Sequence, residues 1–193
     1  MGRLILPEDA RVYADANAVI YHVERLEPYR SMSAAVWEGL ERGRCRVETS
    51  ELTLLEVLVK PVRDGNEALA SLYREVLTGT LGLSLIPIDR ETLELAARLR
   101  AEYRLRTPDA IHAATASRAG ASIFFTNDLD FRRVAGLDVI IIGEIEAEDR
   151  SGLRDTSDRG EVLEERRDHA NDEVGEGEDH RSVRKPPDPI IDD

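Results

Sequence analysis

The stretch RTPDAIHAATASRAGASIFFTND, residues 106–128, combines a well-marked helix with a strand. Thr107 is a good N-cap residue, Pro108 suits the first helical position, and Asp109 is favoured near the positive end of a helix. Small residues continue the helix until Gly120, which is a common stop signal. The apolar run after Gly120 predicts a strand, and a helix followed closely by such a strand is typical of an α/β fold.

The same alternation of apolar runs and helical patterns extends through the first 145 residues. Strands are predicted at Arg11–Asp15, Arg44–Thr49, Leu83–Ile88, Ser122–Thr126 and Asp138–Ile142. Helices are predicted from near Ala16, over Tyr29–Arg42, over Glu51–Lys60 with Ser50 as its cap and Pro61 as its end, over Asn66–Leu77, over Glu91–Tyr103 and over 107–119. Nearly continuous apolar strands separated by helices predict an α/β fold with a parallel sheet covered on both faces.

The acidity of the chain is concentrated near its end. The whole chain of 193 residues carries a net charge of −13, and residues 146–193 alone hold 17 acidic and 8 basic side chains. This segment contains no Phe, Tyr or Trp, so it cannot bury enough apolar surface to offset the entropy of ordering. We therefore expect a folded domain over residues 1–145 and an acidic, disordered tail over residues 146–193.

Cysteine usage and apolar run lengths exclude several classes of protein. Cys45 is the only cysteine, so no disulfide can form within the chain and no zinc cluster is encoded. The apolar runs are strand-sized, and the first residues do not resemble a signal peptide, so we expect a cytoplasmic protein with no membrane span. The net charge of −4 before the tail does not exclude binding of nucleic acid, provided that metal ions neutralise the site.

Four carboxylates occupy positions from which they can share one site: Asp15, Glu56, Asp109 and Asp128. Two follow predicted strands and two lie near the starts of predicted helices. Because ligands of open α/β sheets bind beyond the carboxyl ends of the strands, we expect these acids to converge there. Taken singly, three have ordinary explanations as a helix cap, a first-turn acid and a turn residue. Glu56 lies in an aliphatic helix and requires a partner.

An all-oxygen ligand set suits Mg²⁺ or Mn²⁺ better than Zn²⁺. We assign Asp15 and Asp109 as the direct ligands. Glu56 and Asp128 would complete the site, orient the water or hold a second ion, with Asp130 as the rival of Asp128. Such a site would act on phosphates, because the cation polarises the phosphate and lowers the pKa of the attacking water.

Four sequence blocks carry a family resemblance. YADANAVIY, SELTLLEVLVKP, TPDAIHAATA and FFTNDLDF, in this order, resemble the acidic blocks of the PIN-domain nucleases, and most of all the VapC-like ribonuclease toxins of type II toxin–antitoxin systems. The resemblance implies a three-layer α/β/α fold with a five-stranded parallel sheet ordered 3-2-1-4-5. It also implies Mg²⁺- or Mn²⁺-dependent cleavage of RNA by the four acids, a cognate antitoxin and a homodimer. Three further positions match polar residues around such sites: Asn17, Ser50 and Thr126.

Several alternatives remain open from the residues alone. A haloacid-dehalogenase-like phosphatase would need a second Asp two residues after Asp15, where this chain has Asn17. A receiver-like phosphoryl-transfer domain and a catalytically inactive PIN-like binding module are further candidates. His112 is expected to pack beside the site rather than to act as a ligand. The bases that could contact phosphates are Arg63, Arg98, Arg100, Arg104, Arg106, Arg132 and Arg133.

Overall fold

A central parallel sheet organises the protein, which a computed structural model describes over residues 4–146. The strands are β1 (Ala10–Ala14), β2 (Cys45–Ser50), β3 (Leu83–Ile86), β4 (Ile123–Thr126) and β5 (Val139–Ile141). They are hydrogen-bonded in the order β3-β2-β1-β4-β5, and every pair is parallel. The predicted sheet, with its order 3-2-1-4-5, is confirmed.

Helices connect the strands and cover both faces of the sheet. They are α1 (Ala16–Val23), α2 (Tyr29–Glu41), α3 (Glu51–Arg63), α4 (Glu67–Gly79), α5 (Arg90–Tyr103) and α6 (Thr107–Ala119), with short 3₁₀ turns at Leu129–Arg133 and Ile142–Glu144. Side chains alternate between faces along each strand. Val12 and Phe125 therefore belong to one buried cluster, whereas their neighbours Tyr13 and Phe124 belong to another. The two clusters make the fold a three-layer α/β/α sandwich.

Helix α6 is buried along most of its length. Its small residues, such as Ala113 and Ala114, are fully buried and allow close contact with α5, α3 and β2. Between Asp109 and Ala116 only Ile111 is not buried, so this part of the helix has no solvated face to accept a charged side chain. Asp109 and His112 on this helix are nevertheless buried, so both side chains need polar partners.

The structure corrects two predicted helix ends. The helix predicted to end at Pro61 continues to Arg63, with Pro61 buried inside its last turns. A proline there removes one backbone hydrogen bond, and the burial of its ring offsets that loss. Thr107 is not the N-cap of α6, because the cap position belongs to Arg106, whose backbone is extended at φ −66° and ψ 159°. Ser50 does cap α3, accepting a hydrogen bond from the N–H of Leu52 at 3.2 Å.

Three further predictions concern the end of one strand, membrane spans and the tail. Strand β3 ends at Ile86 rather than at Ile88, because Pro87 has no N–H to continue the ladder. No helix within residues 4–146 is long and apolar enough to cross a membrane. The predicted acidic tail lies outside the described residues, apart from Glu146 at its start.

Candidate active site at the carboxyl edge of the sheet

Asp15 immediately follows β1 and caps helix α1. Its Oδ1 accepts a hydrogen bond from the N–H of Ala18 at 2.9 Å, and its Oδ2 accepts one from the Thr126 hydroxyl. The residue is only 4% exposed. Burial raises the pKa of this carboxyl from 3.8 to about 6, although both hydrogen bonds act in the opposite direction. Asp15 is therefore a rigidly held acid whose charge is poorly compensated by the protein.

Thr126, at the end of β4, joins Asp15 to Asp128. Its hydroxyl oxygen accepts the N–H of Asp128 at 3.0 Å while its proton is donated to Asp15. Asp128 in turn accepts the N–H of Asp130 at 2.8 Å and begins the 3₁₀ turn. Asp130 is turned toward Arg133, at 3.1 Å. Of the two rivals, Asp128 is the one connected by hydrogen bonds to Asp15.

Asp109 lies in the first turn of α6 and contacts Arg106. The Nε of Arg106 donates to Oδ2 of Asp109 at 2.9 Å, and a terminal nitrogen of the same guanidinium lies 3.4 Å from Oδ2 of Asp128. Burial raises the pKa of Asp109, and the charge of Asp128 adds to this effect, whereas the hydrogen bond and charge of Arg106 lower it. One arginine therefore connects two acids that come from different elements.

Glu56 points from α3 to a buried histidine. The Nε2 of His112 lies 2.9 Å from Oε2 of Glu56, and its Nδ1 lies 2.8 Å from the hydroxyl of Tyr13. Burial raises the pKa of Tyr13, so the phenol keeps its proton and donates it to Nδ1. A neutral imidazole then carries its own proton on Nε2, where it donates to the carboxylate. Tyr13 and His112 together orient Glu56.

The four acids belong to one electrostatically coupled cluster. The charge of Glu56 raises the pKa of Asp15, the charge of Asp128 raises the pKa of Asp109, and Thr126 connects Asp15 to Asp128 by hydrogen bonds. These acids come from the ends of β1 and β4, from the second turn of α3 and from the first turn of α6. In a right-handed parallel α/β fold, these four ends lie on the same edge of the sheet. The structure thus brings together the four residues that the sequence places up to 113 positions apart.

The donor atoms of this cluster fit a hard divalent cation. Within residues 4–146, no three His, Cys, Asp or Glu side chains are arranged to hold a metal ion on their own. Mg²⁺ rarely requires such a cage, because it keeps several waters and binds one or two carboxylates together with substrate phosphates. The raised pKa values of the buried acids Asp15 and Asp109, and the guanidinium held against Asp109 and Asp128, show that positive charge is favoured here.

The three polar positions that the family resemblance places around the site differ in their exposure to solvent. Thr126 and Ser50 are buried at the ends of β4 and β2, whereas Asn17 is exposed on α1. The sequence analysis did not single out Tyr13. Its position two residues before Asp15 was the available signal, because alternate residues of a strand point to the same face of the sheet. The sequence analysis also did not predict the contact of Arg106 with Asp109. The two residues are three positions apart at the start of a helix, a spacing that brings side chains together.

A protein-family model matches most of the residues that the structure describes. The model of the PIN domain matches residues 12–137. The chain belongs to the PIN-domain family. All four acids of this PIN domain lie within the matched segment, as do Tyr13, Arg106 and His112. A comparison with curated proteins gives no match.

Solved structures share the fold of this PIN domain at low sequence identity. VapBC2 from Rickettsia felis, bound to a DNA fragment from its promoter, is 18% identical with a TM-score of 0.57, and the match covers 68% of this chain and 98% of that one. A toxin–antitoxin complex from Klebsiella pneumoniae is 23% identical with a TM-score of 0.52, covering 68% and 97%. A sarcin–ricin loop cleaving VapC toxin from Mycobacterium tuberculosis is 15% identical with a TM-score of 0.53, covering 63% and 92%.

Proposed function

We propose that this PIN domain is a metal-dependent endoribonuclease that hydrolyses RNA phosphodiester bonds and acts as the toxin of a toxin–antitoxin pair. The observation that carries the proposal is the cluster of Asp15, Glu56, Asp109 and Asp128 at the carboxyl edge of the sheet, in which Asp15 and Asp109 are buried and the other two acids are half-buried. Membership of the PIN-domain family supports the same chemistry. One structural relative, the VapC toxin from Mycobacterium tuberculosis, cleaves the sarcin–ricin loop, and this supports RNA as the substrate class.

Each acid has a proposed role that follows from its surroundings. Asp15 and Asp109 hold Mg²⁺ or Mn²⁺, and Asp128 completes the site. Thr126 fixes the orientation of Asp15 through its hydroxyl. Glu56, which His112 holds in place, accepts a proton from the attacking water. When bound, the cation polarises the scissile phosphate and lowers the pKa of the water, so the 2′-hydroxyl of RNA is not needed as the nucleophile.

The proposed partners follow from the relatives. Several of the structural neighbours are toxin–antitoxin complexes, including those of Rickettsia felis and Klebsiella pneumoniae. We propose that this protein likewise binds a cognate antitoxin, which covers the acidic cluster, and that it forms a homodimer. Size measurement of the purified protein, alone and with the product of a neighbouring reading frame, tests both parts.

The activity is tested with purified protein and a structured RNA. We expect cleavage with Mg²⁺ or Mn²⁺, none in EDTA, and a loss of at least about 100-fold in Asp15→Asn and Asp109→Asn, since direct metal ligands are removed. Asp64→Asn is the control, because Asp64 is an acid outside the site that pairs with Arg63. Cleavage that persists in EDTA would overturn the proposal, as would equal activity of Asp15→Asn and Asp64→Asn.

The same assay separates the alternatives. A haloacid-dehalogenase-like phosphatase would require an acid at position 17, where the exposed Asn17 stands. A receiver-like domain or an inactive PIN-like binding module would fold and bind metal but leave the RNA intact. RNA cleavage that is abolished by Asp15→Asn excludes all three.

A further inference from the structure

Arg106 lies between two acids of the proposed metal site. Its guanidinium bonds Asp109 at 2.9 Å and reaches Asp128 at 3.4 Å. The charge of Asp130 also acts on this guanidinium. A single positive group is thus placed where the proposed function requires a divalent cation. The arrangement neutralises part of the negative charge that four neighbouring carboxylates would otherwise leave uncompensated.

The acids are fixed, whereas the arginine is not. Asp109 is only 8% exposed on the buried helix α6, and Asp128 is held by hydrogen bonds at its N–H and at its carboxylate. The side chain of Arg106, by contrast, is 68% exposed. Ion pairs of such exposed groups are weak and are screened by salt. The guanidinium can therefore leave the two carboxylates when a cation takes its place, while the carboxylates stay where they are.

We propose that Arg106 is an exchangeable counterion, which pairs with Asp109 and Asp128 in the metal-free protein and with a phosphate of the RNA once a divalent cation has displaced it. This inference rests on the proposed nuclease function and adds a substrate-binding residue to it. A divalent cation carries twice the charge of the guanidinium and outcompetes it for oxygen ligands. The displaced guanidinium remains at the edge of the site, where it can bind a phosphate through two parallel N–H groups.

The exchange has a thermodynamic consequence for binding. The cation frees Arg106 and so raises the affinity for the phosphate, and by linkage the phosphate raises the affinity for the cation. Removing the guanidinium should therefore change the two affinities in opposite directions. Binding of the cation alone should become tighter, because its competitor is gone. Binding of the phosphate should become weaker, because its partner is gone.

Calorimetric titration with Mn²⁺ in the absence of RNA tests the first part. We expect Arg106→Gln to bind Mn²⁺ about fivefold more tightly than the wild type, in keeping with the modest strength of exposed pairs. Arg106→Lys, which keeps the charge, should remain close to the wild type. The matched control is Arg42→Gln, since Arg42 is 59% exposed and pairs with Glu38 on α2. Its Mn²⁺ affinity should not change.

Titration with 5′-AMP, a mononucleotide that has no internal linkage to cleave, tests the second part. In saturating Mn²⁺ we expect Arg106→Gln to bind it about fivefold more weakly than the wild type. Without Mn²⁺ the two proteins should bind it equally, because Arg106 is then occupied by the two acids. Circular dichroism and thermal unfolding establish that each variant is folded.

The outcomes separate this inference from the proposed function. The wild type could cleave RNA with Mn²⁺ while Arg106→Gln binds Mn²⁺ no more tightly than the wild type does. The proposed exchange of Arg106 would then be wrong, and the proposed nuclease function would be unaffected. An equal tightening in Arg42→Gln also overturns the exchange, because net charge alone would then explain it. If the wild type neither binds Mn²⁺ nor cleaves RNA, both proposals fail.

Discussion

At the scale of single residues, Asp15 is held in an environment that penalises its charge. Its pKa of about 6 lies above the ordinary value of 3.8. Between these values the folded protein binds more protons than the unfolded chain does, so the free energy of unfolding falls as the pH rises through this window. Above about pH 6 the buried charge of Asp15 lowers the free energy of unfolding of the metal-free protein by its full amount. A bound cation would remove this loss.

Replacing Asp15 with Asn tests this cost. Asn keeps the shape and can still accept the N–H of Ala18, but it carries no charge. We expect Asp15→Asn to raise the free energy of unfolding at pH 7 by on the order of 2 kcal/mol in EDTA, and to have little effect near pH 4. Urea denaturation at the two pH values measures the difference. A variant that is less stable than the wild type at both pH values would contradict the assigned role of burial.

Tyr13 acts on the site through His112. We expect Tyr13→Phe to lower RNA cleavage about tenfold, because His112 then lacks the donor that fixes its tautomer and Glu56 is no longer held. Removing the hydroxyl also leaves a buried nitrogen without a partner and should cost about 1–2 kcal/mol. The matched control is Tyr73→Phe, which breaks a hydrogen bond to Glu24.

Stability and activity measured together separate the two tyrosines. Both variants should unfold more easily, since both lose a buried hydroxyl with a partner. Only Tyr13→Phe should lose activity under conditions where the protein is fully folded. An equal loss of cleavage in Tyr73→Phe would show that the effect of Tyr13 is a general loss of stability.

At the scale of elements, α6 holds Asp109 and His112 because its other residues are small. Ala113 is fully buried within the cluster that contains Tyr13 and Phe124. We expect Ala113→Leu to lower the free energy of unfolding by about 1–3 kcal/mol, because the larger side chain has no space. Ser117→Leu places the same side chain at an exposed position of α6 and should have a much smaller effect. Thermal unfolding measures the stability of the two variants. An equal loss of stability in both would contradict close packing of this helix.

At the scale of the whole molecule, binding of a cation should stabilise the fold. Any ligand that binds only the folded state raises the free energy of unfolding, by about 2.7 kcal/mol at 100 times its dissociation constant. We expect Mn²⁺ to raise the midpoint of thermal unfolding, EDTA to reverse the shift, and Asp15→Asn to abolish it. A shift of equal size in the wild type and in Asp15→Asn would place the cation elsewhere.

The domain boundary is also a prediction at this scale. The fold closes with β5 and the 3₁₀ turn that ends at Glu144, and the folded domain over residues 1–145 stays a prediction. A fragment ending at residue 146 should keep the unfolding midpoint and the RNA cleavage of the full chain. A fragment that does not fold would show that the removed residues 147–193 contribute to the domain.

The sequence alone determined the features that depend on neighbouring residues. Apolar runs and their spacing predicted the five strands, and helix-end preferences predicted the cap at Ser50 and the stop at Gly120. The place of each acid at a strand end or helix start also followed from these local patterns. The sheet order required the family resemblance in addition, and the metal, which the all-oxygen ligand set also indicates, stays a prediction.

Tertiary structure decided the pairings between distant side chains. The contact of Glu56 with His112 joins residues that are 56 positions apart, and that of Tyr13 with His112 spans 99 positions. Pro61 is buried inside α3, which continues to Arg63, and Arg106 at the start of α6 contacts two acids. Local preferences are set by a few residues along the chain, whereas these contacts are set by which elements pack together. Local preferences can therefore be read from a single sequence. The long-range contacts can be assigned only once the fold is known.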